Sequence, residues 1–132
     1  MEYRATNGSA LSVLVVDDNV DVAESTAIVL RAAGCVVHLA HDGQSALETL
    51  SRVAPTVVLL DIGLPGMSGF EVAERIRAIP SHRDTLLLAV SGYGQEGHRL
   101  RAQQAGFDHH LVKPIDPAAL LALLHAPPRD AG

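Results

Sequence analysis

The chain alternates five times between a short apolar run and a stretch of helical periodicity, and no other feature constrains its fold as tightly. The apolar runs occupy residues 12–17, 35–40, 56–61, 85–90 and 107–112. Most are rich in Val and Leu and almost continuously apolar, as expected of strands buried on both faces of a parallel sheet rather than strands with one wet face; the last is shorter and carries Asp108, His109 and His110. Helical patterns fill the intervals. Residues 21–33 carry Val22, Leu30 and several alanines on one face and stop at Gly34. Residues 43–53 place Ala46, Leu47, Leu50 and Val53 together and stop before Pro55. Residues 68–79 have Ser68 and Glu71 at capping-box spacing and turn Val72, Ile76 and Ile79 inward. Residues 96–105 form a more polar helix ending at Gly106, and residues 117–125 a last one with Pro117, Leu120, Leu121 and Leu124 on one side.

Five strands alternating with five helices predict an α/β fold: one parallel sheet covered by helices on both faces. Right-handed crossovers then bring every strand's C-terminal end to the same edge, where α/β sheets hold their sites. A chain of 132 residues has room for one such domain, expected over residues 11–125, with a flexible N-terminal extension at 1–10 and a tail or linker at 126–132 containing Pro127-Pro128.

Charge and composition exclude several partners. The formal net charge is -5, and the nearest thing to a basic stripe, Arg75, Arg77 and Arg83, is interrupted by Glu71, Glu74 and Asp84. It reads as a solvated helix face, and no nucleic-acid surface is expected. The single cysteine, Cys35, sits in an apolar run and reads as a small buried hydrophobe; no disulfide can form within the chain. No apolar run is long enough to span a bilayer and no signal peptide is visible, so no membrane partner and a cytoplasmic location are expected.

The strand ends carry the chemistry. The first run delivers Asp17 and Asp18, the third Asp61, the fourth Ser91 and the fifth Lys113. Three carboxylates repel one another and invite a hard cation; Mg²⁺ takes oxygen ligands and is usually held by one or two carboxylates, waters and a phosphate oxygen. The remaining carboxylate is free to act as a nucleophile and form an acyl phosphate. Phosphoryl transfer needs mainly positioning and charge neutralisation, which Mg²⁺, the Lys113 ammonium and the Ser91 hydroxyl can supply. The histidines do not suggest a transition metal: adjacent His109 and His110 point to opposite faces of a strand, and His38 and His41 have no partners at zinc spacing. Gly63, Gly66 and Gly69 form no dinucleotide fingerprint.

Asp17-Asp18, the segment from Asp61 to Glu71, Ser91-Gly92 and Lys113-Pro114, in that order, resemble the receiver-domain family of two-component signalling over residues 11–125. The resemblance implies a doubly wound, flavodoxin-like, five-stranded parallel sheet. It implies Asp61 as phosphoacceptor, with Asp17, Asp18, Asp61 and the Gly63 carbonyl around Mg²⁺. Ser91 is implied to follow the phosphoryl group and Lys113 to pair with it. The implied donor is a histidine kinase or a histidine phosphotransfer protein, and the implied role is a signalling switch rather than an enzyme. Family members usually hold the Lys-Pro bond cis, which proline makes affordable at about 0.5–1 kcal/mol.

Two features depart from the commonest family pattern. His110 stands where many members carry the Tyr or Phe whose rotamer changes on activation, and an imidazole titrates near neutrality. Gly63 and Tyr93 occupy positions that influence acyl-phosphate lifetime. Two other functions compete: a receiver-like docking module that is never phosphorylated, and a haloacid-dehalogenase-type phosphatase. The second wants Asp two residues after Asp17, where this chain has Asn19. No output domain is recognisable, so both a single-domain regulator and the receiver of a hybrid kinase are compatible with the sequence.

Overall fold

In the computed structural model, which describes residues 11–92 and 99–125, all five apolar runs are strands. They are β1 (Ser12–Val16), β2 (Val36–Ala40), β3 (Val57–Asp61), β4 (Leu86–Ser91) and β5 (His109–Val112). The helices are α1 (Val20–Ala32), α2 (Gly43–Val53), α3 (Gly69–Arg77), α4 (Arg99–Ala105) and α5 (Pro117–Leu123), with a 3-10 turn at Pro80–His82. The expectations for residues 1–10, Tyr93, the start of the fourth helix and residues 126–132 lie outside the described residues.

The strands form one parallel sheet in the order β2-β1-β3-β4-β5. The order changes direction between β1 and β3, and a crevice forms beyond the carboxyl ends at such a switch. The central strands β1, β3 and β4 are buried almost throughout because both faces are covered. Alternate side chains feed two cores. Leu14, Val16, Val58, Leu60, Leu87 and Ala89 pack under α2, α3 and α4. Val13, Val15, Val57, Leu59, Leu88 and Val90 pack under α1 and α5. The period-2 alternation of a strand thus splits a continuous apolar run into two half-cores.

Helix starts follow local chemistry. Asn19 accepts the Val22 amide at 3.1 Å, Asp42 the Ser45 amide at 2.7 Å and Ser68 the Glu71 amide at 3.3 Å, each satisfying a first-turn donor. The capping box is half formed: the Glu71 carboxylate takes the Arg75 guanidinium at 2.9 Å. Beyond α1, Gly34 has a φ of 95°, a left-handed conformation suited to glycine.

The structure trims several expected boundaries. β2 begins at Val36, with Cys35 half-buried rather than buried. α3 ends at Arg77, and α5 ends at Leu123 with Pro117 exposed. Arg77 is not part of a solvated face: its guanidinium is tied to Gly106 O, His82 O, Arg83 O, Thr85 O and the Asp108 carboxylate. Leu100, the large apolar residue of α4, is 64% exposed; Ala102 and Ala105 make its core contacts. Among the described residues no helix is long and apolar enough to cross a membrane.

Candidate functional site

The strand-order switch delivers the acidic residues to one place. Asp61 closes β3, and Asp17 and Asp18 follow β1 directly. Their ligand oxygens lie within 4.8 Å of one another. Asp17 and Asp61 are 5% and 6% exposed, whereas Asp18 faces solvent.

The two buried acids are held alike. One oxygen of each accepts the amide two residues on: Asn19 N to Asp17 Oδ1 at 2.9 Å, and Gly63 N to Asp61 Oδ1 at 2.8 Å. Each is an Asx turn, which orients the carboxylate as the chain leaves the strand. The other oxygen of each meets Lys113 Nζ, at 3.0 Å for Asp17 and 3.1 Å for Asp61. Lys113 arrives there because β5 runs beside β4 and its amide donates to Ser91 O at 2.8 Å; the Lys113-Pro114 bond is cis. Burial alone would push the Lys113 ammonium down, but hydrogen bonds to Asp17 and Asp61, with their charges, outweigh it and raise its pKa above 10.5. One ammonium among three carboxylates leaves the cluster net negative.

Gly69 lets this edge close. A Cβ there would run into the Asp61 carbonyl oxygen and the Ile62 Cα, so only glycine lets α3 start directly against the end of β3. Gly63 is exposed, and its missing side chain leaves the space beside Asp61 Oδ1 open.

Five expected site residues therefore meet: Asp17, Asp18, Asp61 and Lys113 through their side chains, and Gly63 through its amide on Asp61. Ser91 stands apart in one respect. It is fully buried at the end of β4, and its hydroxyl is hydrogen bonded to His110 Nε2 at 2.8 Å. Among the described residues, the Asp61 carboxylate has Gly63 and Lys113 as its hydrogen-bond partners. His110 also lines a cavity of about 190 Å³ between α4 and β5, with Arg99, Gln103, Asp108 and His109 among its walls.

Two contributors were not legible as site residues. Asn19 serves Asp17 through its amide while its side chain caps α1. His41, read only as a poor zinc ligand, places Nδ1 3.0 Å from the Asp17 carbonyl oxygen. The Asx-turn habit of Asp at a strand exit was a usable signal for Asn19; a contact from a separate loop left none for His41.

The all-oxygen donor set fits a hard divalent cation such as Mg²⁺, the carboxylates being its natural ligands. Asp17, Asp18 and Asp61 would hold it, and its chemistry here would be to neutralise charge on a phosphoryl group.

Comparison with known proteins agrees with this geometry. The profile of the response regulator receiver domain matches residues 13–125. The phosphate regulon transcriptional regulatory protein PhoB of Pseudomonas aeruginosa is 31% identical over 92% of this chain, which covers 53% of PhoB. The chain spans about half the length of the curated transcriptional regulators it matches. A putative response regulator of Chloroflexus aurantiacus superposes with a TM-score of 0.84 at 30% identity, over 88% of this chain and 95% of that one. The receiver domain of the sensor histidine kinase PA1611 of P. aeruginosa, with a magnesium ion coordinated in its active site cleft, superposes with a TM-score of 0.80 at 29% identity, over 88% and 95%.

Proposed function

The chain belongs to the response regulator receiver domain family, signalling switches of two-component systems, and from that membership we propose that Asp61 is its phosphoacceptor. The observation that carries the assignment is the meeting of Asp61 with Asp17, Asp18 and Lys113, from three separate stretches of sequence, at the strand-order switch. Asp17 and Asp18 act as the metal pair, joined by Asp61 and the Gly63 carbonyl, with Mg²⁺ as the cation.

The donor is a phosphohistidine of a kinase or a phosphotransfer protein. The Asp61 carboxylate attacks its phosphorus; a P–O bond forms as the P–N bond breaks, and the departing imidazole keeps the bonding pair and takes up a proton. The chain supplies position and charge. Gly63 N–H orients Asp61 through Oδ1, and Lys113 pairs with the incoming phosphoryl oxygens. The phosphoryl group carries about -1.5 to -2, by analogy with common phosphoesters, and because Asp61 gives up its carboxylate charge in forming the bond the net gain is roughly -0.5 to -1. Ser91 then exchanges His110 for a phosphoryl oxygen, and His110 changes rotamer toward the α4–β5 cavity. The surface of α4 and β5 is the output face, its protein partner set by the wider system.

Incubation with acetyl phosphate and Mg²⁺, followed by intact mass, tests the acceptor. Wild type should gain one phosphoryl group and Asp61→Asn none. Equal labelling of the Asn variant would overturn the assignment.

A further inference from the structure

Asp18 is the least supported member of the acidic cluster. It is exposed, and among the described residues no donor holds its carboxylate. Its direction therefore depends on the backbone that carries it. The peptide units on both sides of Asp17 are fixed by the exit of β2. The Asp17 amide donates to Ala40 O at 3.1 Å, and the Asp17 carbonyl, which belongs to the peptide joining Asp17 to Asp18, meets His41 Nδ1 at 3.0 Å. A carbonyl oxygen only accepts, so Nδ1 carries the proton and donates. The backbone that carries the ring is anchored: half-buried His41 stands between β2 and Asp42, which caps α2 through the Ser45 amide and accepts the Ala46 amide with its carbonyl.

We infer that His41 is a positioning residue for the cation site: by holding the Asp17–Asp18 peptide plane through its Nδ1–H, it aims the Asp18 carboxylate at the position shared with Asp17 and Asp61. This rests on the reading of the acidic cluster as a divalent-cation site. The ring touches no ligand atom. It acts through one backbone oxygen, as outer-shell partners do when they orient ligands, at a typical value of 10- to 100-fold in metal affinity.

The test is a Mg²⁺ titration of the unphosphorylated protein, followed by backbone amide NMR shifts around Asp17 and Asp18, in wild type, His41→Leu, His41→Asn and His41→Gln. Asn carries its amide nitrogen near the place of Nδ1, whereas Gln carries it near Nε2. His41→Leu and His41→Gln should bind Mg²⁺ about 10-fold more weakly, and His41→Asn close to wild type. Should the Leu variant not fold, the Asn and Gln pair still decides, because a packing role would not rank them in this order. Equal affinity in Asn and Gln, or wild-type affinity in Leu, overturns the role of His41 and leaves the cation site standing. Absence of any Mg²⁺ response in wild type overturns the cation reading and this inference with it.

Discussion

Lys113 is the residue on which the unphosphorylated site balances. Its ammonium is the shared partner of two buried carboxylates, so removing it leaves two acids facing each other without a counter-ion. For a fully buried pair such a loss costs about 3–5 kcal/mol. Lys113 is partly exposed, and solvent screening brings the expectation for Lys113→Ala to roughly 1–3 kcal/mol. Mg²⁺ should raise the variant's melting temperature more than it raises that of wild type, because the cation takes over the missing charge. The alkaline side has its own sign. The folded pKa lies above the unfolded value of 10.5, so the Lys113 contribution is complete below 10.5 and is lost as pH rises through the folded value. The stability gap between wild type and variant should therefore be flat from neutral pH to 10.5 and close as pH rises beyond it. Thermal melts across pH check both; equal stability of the two proteins in chelator would contradict the balance described.

The elements divide into firm and loosely held ones. α3 is firm: it is capped by Ser68, packed through Val72, Ala73 and Ile76, and tied at its end by Arg77. α4 meets the core through two alanines and is linked to α3 by exposed side chains, Arg101 on Glu74 at 2.9 Å and over the Phe70 ring at 4.7 Å. An exposed ion pair of this kind contributes about 0–1 kcal/mol, which leaves α4 the element easiest to shift. The periodicity of residues 68–79 made α3 legible, but Arg77 was misread because neighbouring acids in sequence say nothing about carbonyls gathered from two other segments, residues 82–85 and Gly106. Arg77→Leu should cost about 2–3 kcal/mol, since it breaks charge-assisted bonds to half-buried acceptors. Its ties are to the starts of β4 and β5, at the sheet edge opposite Asp61, so the folded variant should accept a phosphoryl group at the wild-type rate. Denaturant melts and phosphorylation kinetics separate the two effects, and a variant as stable as wild type would show the tie to be incidental.

At the scale of the molecule, strand and helix alternation was readable because a parallel sheet demands apolar runs, and the site was readable because its residues sit at strand ends. The state of Ser91 was not. Which partner its hydroxyl takes depends on β4 and β5 lying side by side, with Ala89 in register with His110. That contact links the site to the α4–β5 surface, and one half of it is an imidazole, the side chain suited to a pH switch. Arg99, Asp108 and His109 line the same cavity and share in setting its charge. The NMR response of α4 to phosphorylation should therefore vary between about pH 5 and 8 in wild type and less in His110→Phe, where His109 remains. Identical pH profiles would show that His110 is not the titrating element. All of this depends on the chemistry beginning at Asp61. An acyl phosphate is reduced by borohydride to an alcohol, which marks its aspartate permanently as homoserine. Peptide mapping after acetyl phosphate, Mg²⁺ and borohydride should find homoserine in place of Asp61 and at no other aspartate, and none when the metal is chelated. The mark at Asp17 or Asp18, or undiminished marking without metal, would contradict the account.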